Sequence, residues 1–318
     1  MENSSAAPAR TLLQVGGLPP TAERALVEEF DVLRLPDQDP GAFLRVHAQD
    51  VVAAVTNSMT GVGGDLMRSL PHLKAVINFG VGYETTDVES ARGLGIQVSN
   101  TPDVLTDCVA DLAVGLTLDV ARGISASDRF VRRGQWPHSP FPLGTRVSGA
   151  RVGIVGLGRI GQAISRRMEA FGCAIAYHSR HRVPGVDHPW MQSAEELAAG
   201  SDVLIVAVSG GTSTAGLISR EVLEALGPEG ILVNISRGAV VDEHALVEML
   251  VERRIAGAGL DVFVKEPQVP QELFELDHVV LTPHLGSATA ETRQDMADLF
   301  LENVRTFMDS GAVSTPVR

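Results

Sequence analysis

Near the middle of the chain, Val152–Gly161 (VGIVGLGRIG) joins an apolar run to three glycines at GxGxxG spacing. Each glycine has a physical task. Gly156 permits a tight turn out of a strand, Gly158 lets a pyrophosphate approach the backbone, and Gly161 lets the next helix pack closely on its sheet. A helix starting there offers unpaired N–H groups and its positive dipole end to phosphates. GxGxxG alone is weak. The strand-like Val152–Val155 before it and the helical pattern Gln162–Phe171 after it make it a dinucleotide site. A second set of residues lies just past the ends of apolar runs, where open parallel sheets bind ligands. The stretches are Phe79–Tyr83, Ser179-Arg180, Ser236-Arg237-Gly238, Asp261–Pro267 and Thr282-Pro283-His284. Alone, a histidine, arginine or glutamate in such a loop is usually structural, and two glycines are a simple turn. Together they supply an imidazole for proton exchange near neutrality and a planar guanidinium for a bidentate anion.

Alternating strands and helices must position these groups. Strands are expected at Thr11–Val15, Val51–Val55, Ala75–Asn78 and Ile96–Val98, with helices at Thr21–Phe30, Leu66–Leu70 and Thr86–Gly93. Such alternation implies right-handed crossovers and a parallel sheet. Pro102-Asp103 then signals a helix start, and Val104 to Arg132 reads as one long helix able to connect two domains, with Val109, Leu112, Ala113, Leu116 and Val120 on one face. Gly134–Val147, which holds Trp136 and three prolines, is irregular, as functional or interfacial segments often are. The glycine loop opens a second α/β domain. Its further strands are Ala174–Tyr177, Val203–Val208, Ile231–Ile235, Ala256–Leu260 and Val279–Thr282, and its helices Ala194–Ala199, Arg220–Leu226 and Glu243–Val251. A last helix, Thr289 to Asp309, is expected to return to the first domain, making it discontinuous.

A chain of 318 residues suits about two domains. Residues 1–10, small and polar, read as a loose tail without a secretory signal, and no apolar run suggests a membrane span, so the cytoplasm is the expected location. Cys108 and Cys173 have no metal or redox spacing and read as buried thiols. A net charge of −13 argues against nucleic acid and anionic membranes, so cations for an anionic ligand must be placed locally.

Asn78–Tyr83 (NFGVGY), Val155–Gly161, Asn234–Gly238 (NISRG), Gly259–Pro267 (GLDVFVKEP) and Thr282–Thr289 (TPHLGSAT) resemble, in order and spacing, the D-isomer-specific 2-hydroxyacid dehydrogenase family; Asn100–Thr106 is similar to its hinge. The likeness covers nearly the whole chain and is greatest to the NADPH-using hydroxypyruvate/glyoxylate and hydroxyphenylpyruvate reductases. It implies two Rossmann-like or flavodoxin-like α/β domains with parallel sheets and an active site in the cleft between them. Residues 1–102 with 286–318 would bind substrate, and 103–285 the dinucleotide. The implied reaction is NADPH-dependent reduction of a small 2-keto acid (glyoxylate, hydroxypyruvate or an aryl-pyruvate) to the D-2-hydroxy acid.

That chemistry needs a carboxylate clamp, a proton donor and a hydride donor, and the residues agree. Arg237 would grip the carboxylate at two points and polarise the ketone. The N–H groups of Val81 and Gly82 would bind the same carboxylate. His284 would protonate the developing alkoxide, and Glu266 would hold its imidazole and favour the charged form. The family likeness implies that Asp261 holds the nicotinamide carboxamide and Thr106 contacts the cofactor phosphate. Gly156, Gly158, Arg159, Ile160, Gly161, Ser209, Ser236, His284 and Gly286 complete the expected cofactor contacts. Asn57 belongs to the expected substrate wall. Trp136 would reach a substrate pocket, even that of a neighbouring subunit of a homodimer, or simply form the dimer contact.

The sequence departs from the family at two places. About 20 residues past the loop, NAD-specific sites carry an acid for the ribose 2′-hydroxyl; here Ser179 stands there and Arg180 follows, which favours the 2′-phosphate of NADPH over NADH. Ser209-Gly210-Gly211-Thr212 lacks the proline many relatives carry early in that loop. Two other readings stay open. One is a phosphoglycerate dehydrogenase, a family that often adds a C-terminal regulatory domain, whereas this chain ends at Arg318 after its last helix. The other is a cofactor-sensing binding protein like the dehydrogenase-like corepressors, some of which keep the triad.

Overall fold

The computed structural model describes residues 11–317, so the tail expected at residues 1–10 lies outside the described residues, as does Arg318. Contacts divide the chain into two units, 1–104 with 290–318 and 105–289.

The first unit begins β1 (Thr11–Gln14), α1 (Pro20–Glu29), β2 (Val32–Arg34), α2 (Pro40–His47), β3 (Val51–Asn57), α3 (Gly64–Arg68), β4 (Ala75–Phe79), α4 (Val88–Gly93) and β5 (Gln97–Ser99). Its strands form one sheet in the order β2-β1-β3-β4-β5, all parallel. β4 is buried along its whole length, as a strand covered on both faces must be. β2 and α2 are absent from the sequence reading. β2 is a short, half-exposed edge strand without an apolar run. α2 does carry a start signal, since the Asp39 carboxylate accepts Ala42 N–H at 2.9 Å and Pro40 opens the helix.

The second unit runs α5 (Thr106–Arg122), α6 (Ile124–Arg132), β6 (Arg151–Val155), α7 (Arg159–Ala170), β7 (Ala174–His178), β8 (Trp190–Met191), α8 (Ala194–Ala199), β9 (Val203–Val206), α9 (Arg220–Leu226), β10 (Ile231–Asn234), α10 (Glu243–Val251), β11 (Gly257–Leu260) and β12 (Val279–Leu281). The long helix expected over Val104–Arg132 is two helices. Gly123, at φ 61°, closes α5 in the left-handed conformation that a glycine adopts at least cost, and α6 starts afresh. α5 packs on the sheet of its own unit, where a Cβ on Gly257 would lie 2.8 Å from Val120 and one on Gly259 2.9 Å from Leu116. Arg167 of α7 ties the two helices by ion pairs to Asp107 and Asp111. Of the two cysteines, Cys173 is buried as expected, whereas Cys108 is half-exposed because it lies outside the buried stripe of α5.

The strand order is β12-β11-β10-β9-β6-β7-β8, again all parallel. The order reverses between β6 and β9, and the carboxyl ends of those two strands mark the switch point where doubly wound sheets bind ligands. The two-residue β8 also escapes the sequence reading, being too short for any periodicity. α11 (Ala290–Ser310) belongs to the first unit, where Phe300 meets Phe79 edge-on at 5.7 Å and Arg305 pairs with Glu29 of α1. No helix among the described residues is long and apolar enough to cross a membrane.

Candidate active site

The glycine loop sits at the switch point, and each glycine is required there for its own reason. Gly156 has φ 95°, and a Cβ on it would come within 2.7 Å of the Val208 side chain and 2.8 Å of its backbone nitrogen. A Cβ on Gly161 would lie 2.1 Å from the Gly156 carbonyl oxygen, so the first turn of α7 can rest on the loop only without one. Gly158 differs: a Cβ there would meet no protein atom within 4 Å. Its bareness serves whatever approaches the loop from outside. Gly158 is also the N-cap of α7 and gives it no side-chain cap; Arg159 opens the helix, exposed, and Ile160 follows, half-buried. These features fit a dinucleotide pyrophosphate. Ser209 is exposed after β9; Ser236 is buried, its hydroxyl donating to Val208 O. Thr106 starts α5.

Arg237, Glu266 and His284 follow three adjacent strands, β10, β11 and β12, and the structure gathers them. Gly238 lets the first two loops touch backbone to backbone, since a Cβ on it would lie 2.0 Å from Phe263. The His284 Nδ1–H donates to Glu266 Oε2 at 2.7 Å, and Phe263 N–H donates to Glu266 Oε1 at 3.0 Å. Burial by itself would raise the Glu266 carboxyl, but these hydrogen bonds and the charges of His284 and Arg237 hold it below its ordinary value. The imidazole keeps 36% of its side-chain surface exposed against 16% for Glu266, so the carboxylate lies behind the ring.

Asp261 is 1% exposed. It accepts Thr282 Oγ1–H and Leu285 N–H at 2.6 Å on one oxygen, and Gly286 N–H at 2.9 Å on the other. Burial pushes this carboxyl up, against those hydrogen bonds. Its carbonyl receives His284 N–H at 3.0 Å, and His284 itself sits at φ 54°, an unfavourable backbone region for a side chain of its size. Asp261 thus moulds the turn that presents the imidazole. Asn234 does the same for Arg237: its Oδ1 accepts Ser236 N–H and its Nδ2 donates to Arg237 O, each at 3.1 Å. Sequence reasoning assigned no role to Asn234 or Thr282, although both stand inside the motifs that it used.

In the loop after β7, Ser179 Oγ donates to His181 O at 2.6 Å and Arg180 is exposed. Arg182 lies over the Trp190 ring at 5.2 Å, and Trp190 Nε1–H donates to Ser179 O at 3.0 Å. Trp136, in the segment after α6 of the same unit, is 68% exposed. In the first unit, Val81 and Gly82 are half-buried in the loop after β4. Asn57 uses its side chain to shape its own loop, accepting Met59 N–H at 2.7 Å and Thr60 N–H at 3.0 Å, and to tie it to the loop after β1, donating to Gly17 O at 2.6 Å.

The model of a family described as "D-isomer specific 2-hydroxyacid dehydrogenase, NAD binding domain" matches residues 114–286. A hydroxyphenylpyruvate reductase of Plectranthus scutellarioides is 50% identical over 93% of the chain and 95% of its own length. A glyoxylate/hydroxypyruvate reductase A of Arabidopsis thaliana is 44% identical over the same shares, 93% and 95%. Among solved structures, the NADPH-dependent glyoxylate/hydroxypyruvate reductase of Sinorhizobium meliloti in complex with NADP and malonate superposes with a TM-score of 0.91 at 41% identity, covering 97% of each chain.

Proposed function

The chain belongs to the D-isomer-specific 2-hydroxyacid dehydrogenase family, and from that premise we propose that it reduces glyoxylate, hydroxypyruvate or an aryl-pyruvate with NADPH, His284 giving the proton. At the coarser level it is an oxidoreductase acting on CH–OH, uses a nicotinamide cofactor, and reduces a small 2-keto acid. The bound cofactor supplies a hydride to the carbonyl carbon.

The chain's own residues do the rest. Gly156, Gly158 and Gly161, with Arg159 and Ile160, hold the pyrophosphate at the start of α7. Thr106 contacts the cofactor phosphate, Asp261 holds the nicotinamide carboxamide, Ser209, Ser236, His284 and Gly286 are further contacts of the cofactor, and Ser179 and Arg180 receive the 2′-phosphate. Arg237 grips the substrate carboxylate in two-point contact, together with the N–H groups of Val81 and Gly82, and Asn57 shapes the loop beside the substrate. As the carbonyl π bond opens, oxygen gains charge and takes the proton from Nε2 of His284, since Nδ1 is engaged by Glu266. Glu266 accepts the Nδ1–H and fixes the ring. Residues 1–102 with 286–318 act as the substrate domain, and 103–285 as the dinucleotide domain. The working form is a homodimer in the cytoplasm, with Trp136 at the dimer contact.

One observation carries this reading: the Glu266–His284 hydrogen bond at 2.7 Å with the Arg237 charge beside it. Because some dehydrogenase-like binding proteins keep the triad, substrate-dependent turnover is what separates the two readings. The test is NADPH and NADH consumption with a panel of 2-keto acids. Turnover with glyoxylate, hydroxypyruvate or an aryl-pyruvate, faster with NADPH, is expected; consumption of neither cofactor with any of them overturns it.

A further inference from the structure

The loop after β4 contains three consecutive carbonyls, each held by the amide side chain of Asn78, which is buried, or of Asn100, which is half-buried. Asn78, 0% exposed at the end of β4, donates from Nδ2 to Gly80 O at 3.2 Å and to Gly82 O at 2.8 Å, and lies 3.3 Å from Ser58 Oγ. Asn100 Nδ2 donates to the carbonyl between those two, Val81 O, at 2.8 Å. Thr101 secures the near end: its N–H donates to Gly80 O at 3.0 Å, and its hydroxyl oxygen accepts Gly80 N–H at 3.1 Å.

In a trans peptide the C=O and the following N–H point in opposite directions in one plane. These peptides are trans, the cis bond among the described residues being Glu266-Pro267. Holding the carbonyls of Gly80, Val81 and Gly82 therefore aims the N–H groups of Val81, Gly82 and Tyr83 away from Asn78 and Asn100. None of the three N–H groups donates to a protein acceptor among the described residues. Successive N–H groups exposed in this way form an anion-binding concavity.

We propose that Asn78 and Asn100 are positioning residues for the substrate carboxylate, and that Tyr83 N–H is a third backbone donor to it beside Val81 and Gly82. The proposal rests on the assignment of this loop to the carboxylate. Asn78 carries a cost that a purely stabilising side chain would not: its Oδ1 is buried without a hydrogen-bond partner. What the residue gains for that cost is its amide nitrogen, which reaches two carbonyls of the loop. Aspartate at either position could not donate and would set a negative charge behind the donors.

The experiment measures KM and kcat for a 2-keto acid, competitive inhibition by oxalate, and NADPH affinity in Asn78→Ser, Asn100→Ser and Arg237→Lys. Loss of one oriented hydrogen bond to a charged group should raise KM and the oxalate inhibition constant by about tenfold in each asparagine variant. Their kcat and NADPH affinity should stay close to wild type. Unchanged KM and oxalate inhibition in both asparagine variants would overturn the proposal while Arg237→Lys still weakens oxalate. If Arg237→Lys also leaves oxalate binding intact, the carboxylate clamp itself is wrong. Should Asn78→Ser fail to fold, Asn100→Ser, at a half-buried position, carries the same comparison.

Discussion

His284 combines a partly exposed ring with a half-buried anion behind it, and this division predicts separable losses. His284→Ala should lower kcat by about 10²–10⁴-fold, the usual contribution of a positioned proton donor. NADPH should still bind, because His284 acts away from the adenine half of the cofactor and the phosphate cradle of α7 is untouched; fluorescence titration and steady-state rates check both, and near-normal turnover would refute the assignment. Arg237→Lys keeps the charge but loses the planar fork. It should cost roughly 10²-fold in kcat/KM, because the clamp also orients the carbonyl. Glu266 adds a pH dependence with a definite sign. Its carboxyl is held below the ordinary value in the folded chain, so it binds fewer protons there than when unfolded. That stabilisation is complete above the unfolded carboxyl value of about 4.3 and disappears as pH falls through the lower folded value. Glu266→Gln should therefore lower Tm at neutral pH and flatten its fall in acid. An unchanged acid slope would show that the carboxylate is not held by its partners.

At the scale of elements, the proposed choice of NADPH rests on the loop between β7 and β8. Arg182 lies over the Trp190 face and Ser179 O accepts the Trp190 indole N–H, while Arg180, exposed as Arg182 is, stands next to Ser179 with no ring partner among the described residues. With the Ser179 hydroxyl turned from His181 O to the phosphate, two hydrogen bonds to that doubly charged group, at about 1.5–3 kcal/mol each, would favour NADPH by roughly 10²–10⁴-fold. Ser179→Asp/Arg180→Ala should lose most NADPH efficiency and little NADH efficiency, and Arg182→Ala should lose less than Arg180→Ala. Equal use of both cofactors by the wild type would end the argument. The same region shows what the sequence could reveal. Ser179 and Arg180 were legible because their distance from the glycine loop is fixed by one strand and one helix. β8 was not, since two residues have no periodicity and their pairing with β7 is set by Trp190 packing. The break at Gly123 was hidden in the same way: the apolar stripe continues through it, and only the left-handed φ of the glycine ends α5. Arg237, Glu266 and His284 could be listed from the sequence, but the 2.7 Å contact between Glu266 and His284 depends on Asp261 moulding the turn of the imidazole, and the placing of Arg237 on Asn234 moulding its loop.

At the scale of the whole molecule, the segment that follows α5 presents apolar surface that its own unit does not cover. Leu143 is 101% exposed and Trp136 68%, with Ile124 at 53% and Val131 at 52% on α6 beside them. Yet the segment is not loose: Phe141 stacks edge-on against Phe130 at 5.4 Å, and a Cβ on Gly144 would lie 2.6 Å from Ala121 O at the end of α5. Fixed backbone carrying exposed Trp and Leu is what a subunit interface needs, because ordering costs little on association and each apolar side chain removed from water contributes. A chain of net charge −13 would otherwise be held apart by its own repulsion, so association requires such a local apolar patch. Light scattering at micromolar concentration should therefore give twice the 33.7 kDa of the chain. Trp136→Ala/Leu143→Asp should return it to a single chain with an intact glycine loop, read as retained NADPH binding. A single-chain mass for the wild type would refute the dimer, and a dimeric double variant would place the interface elsewhere.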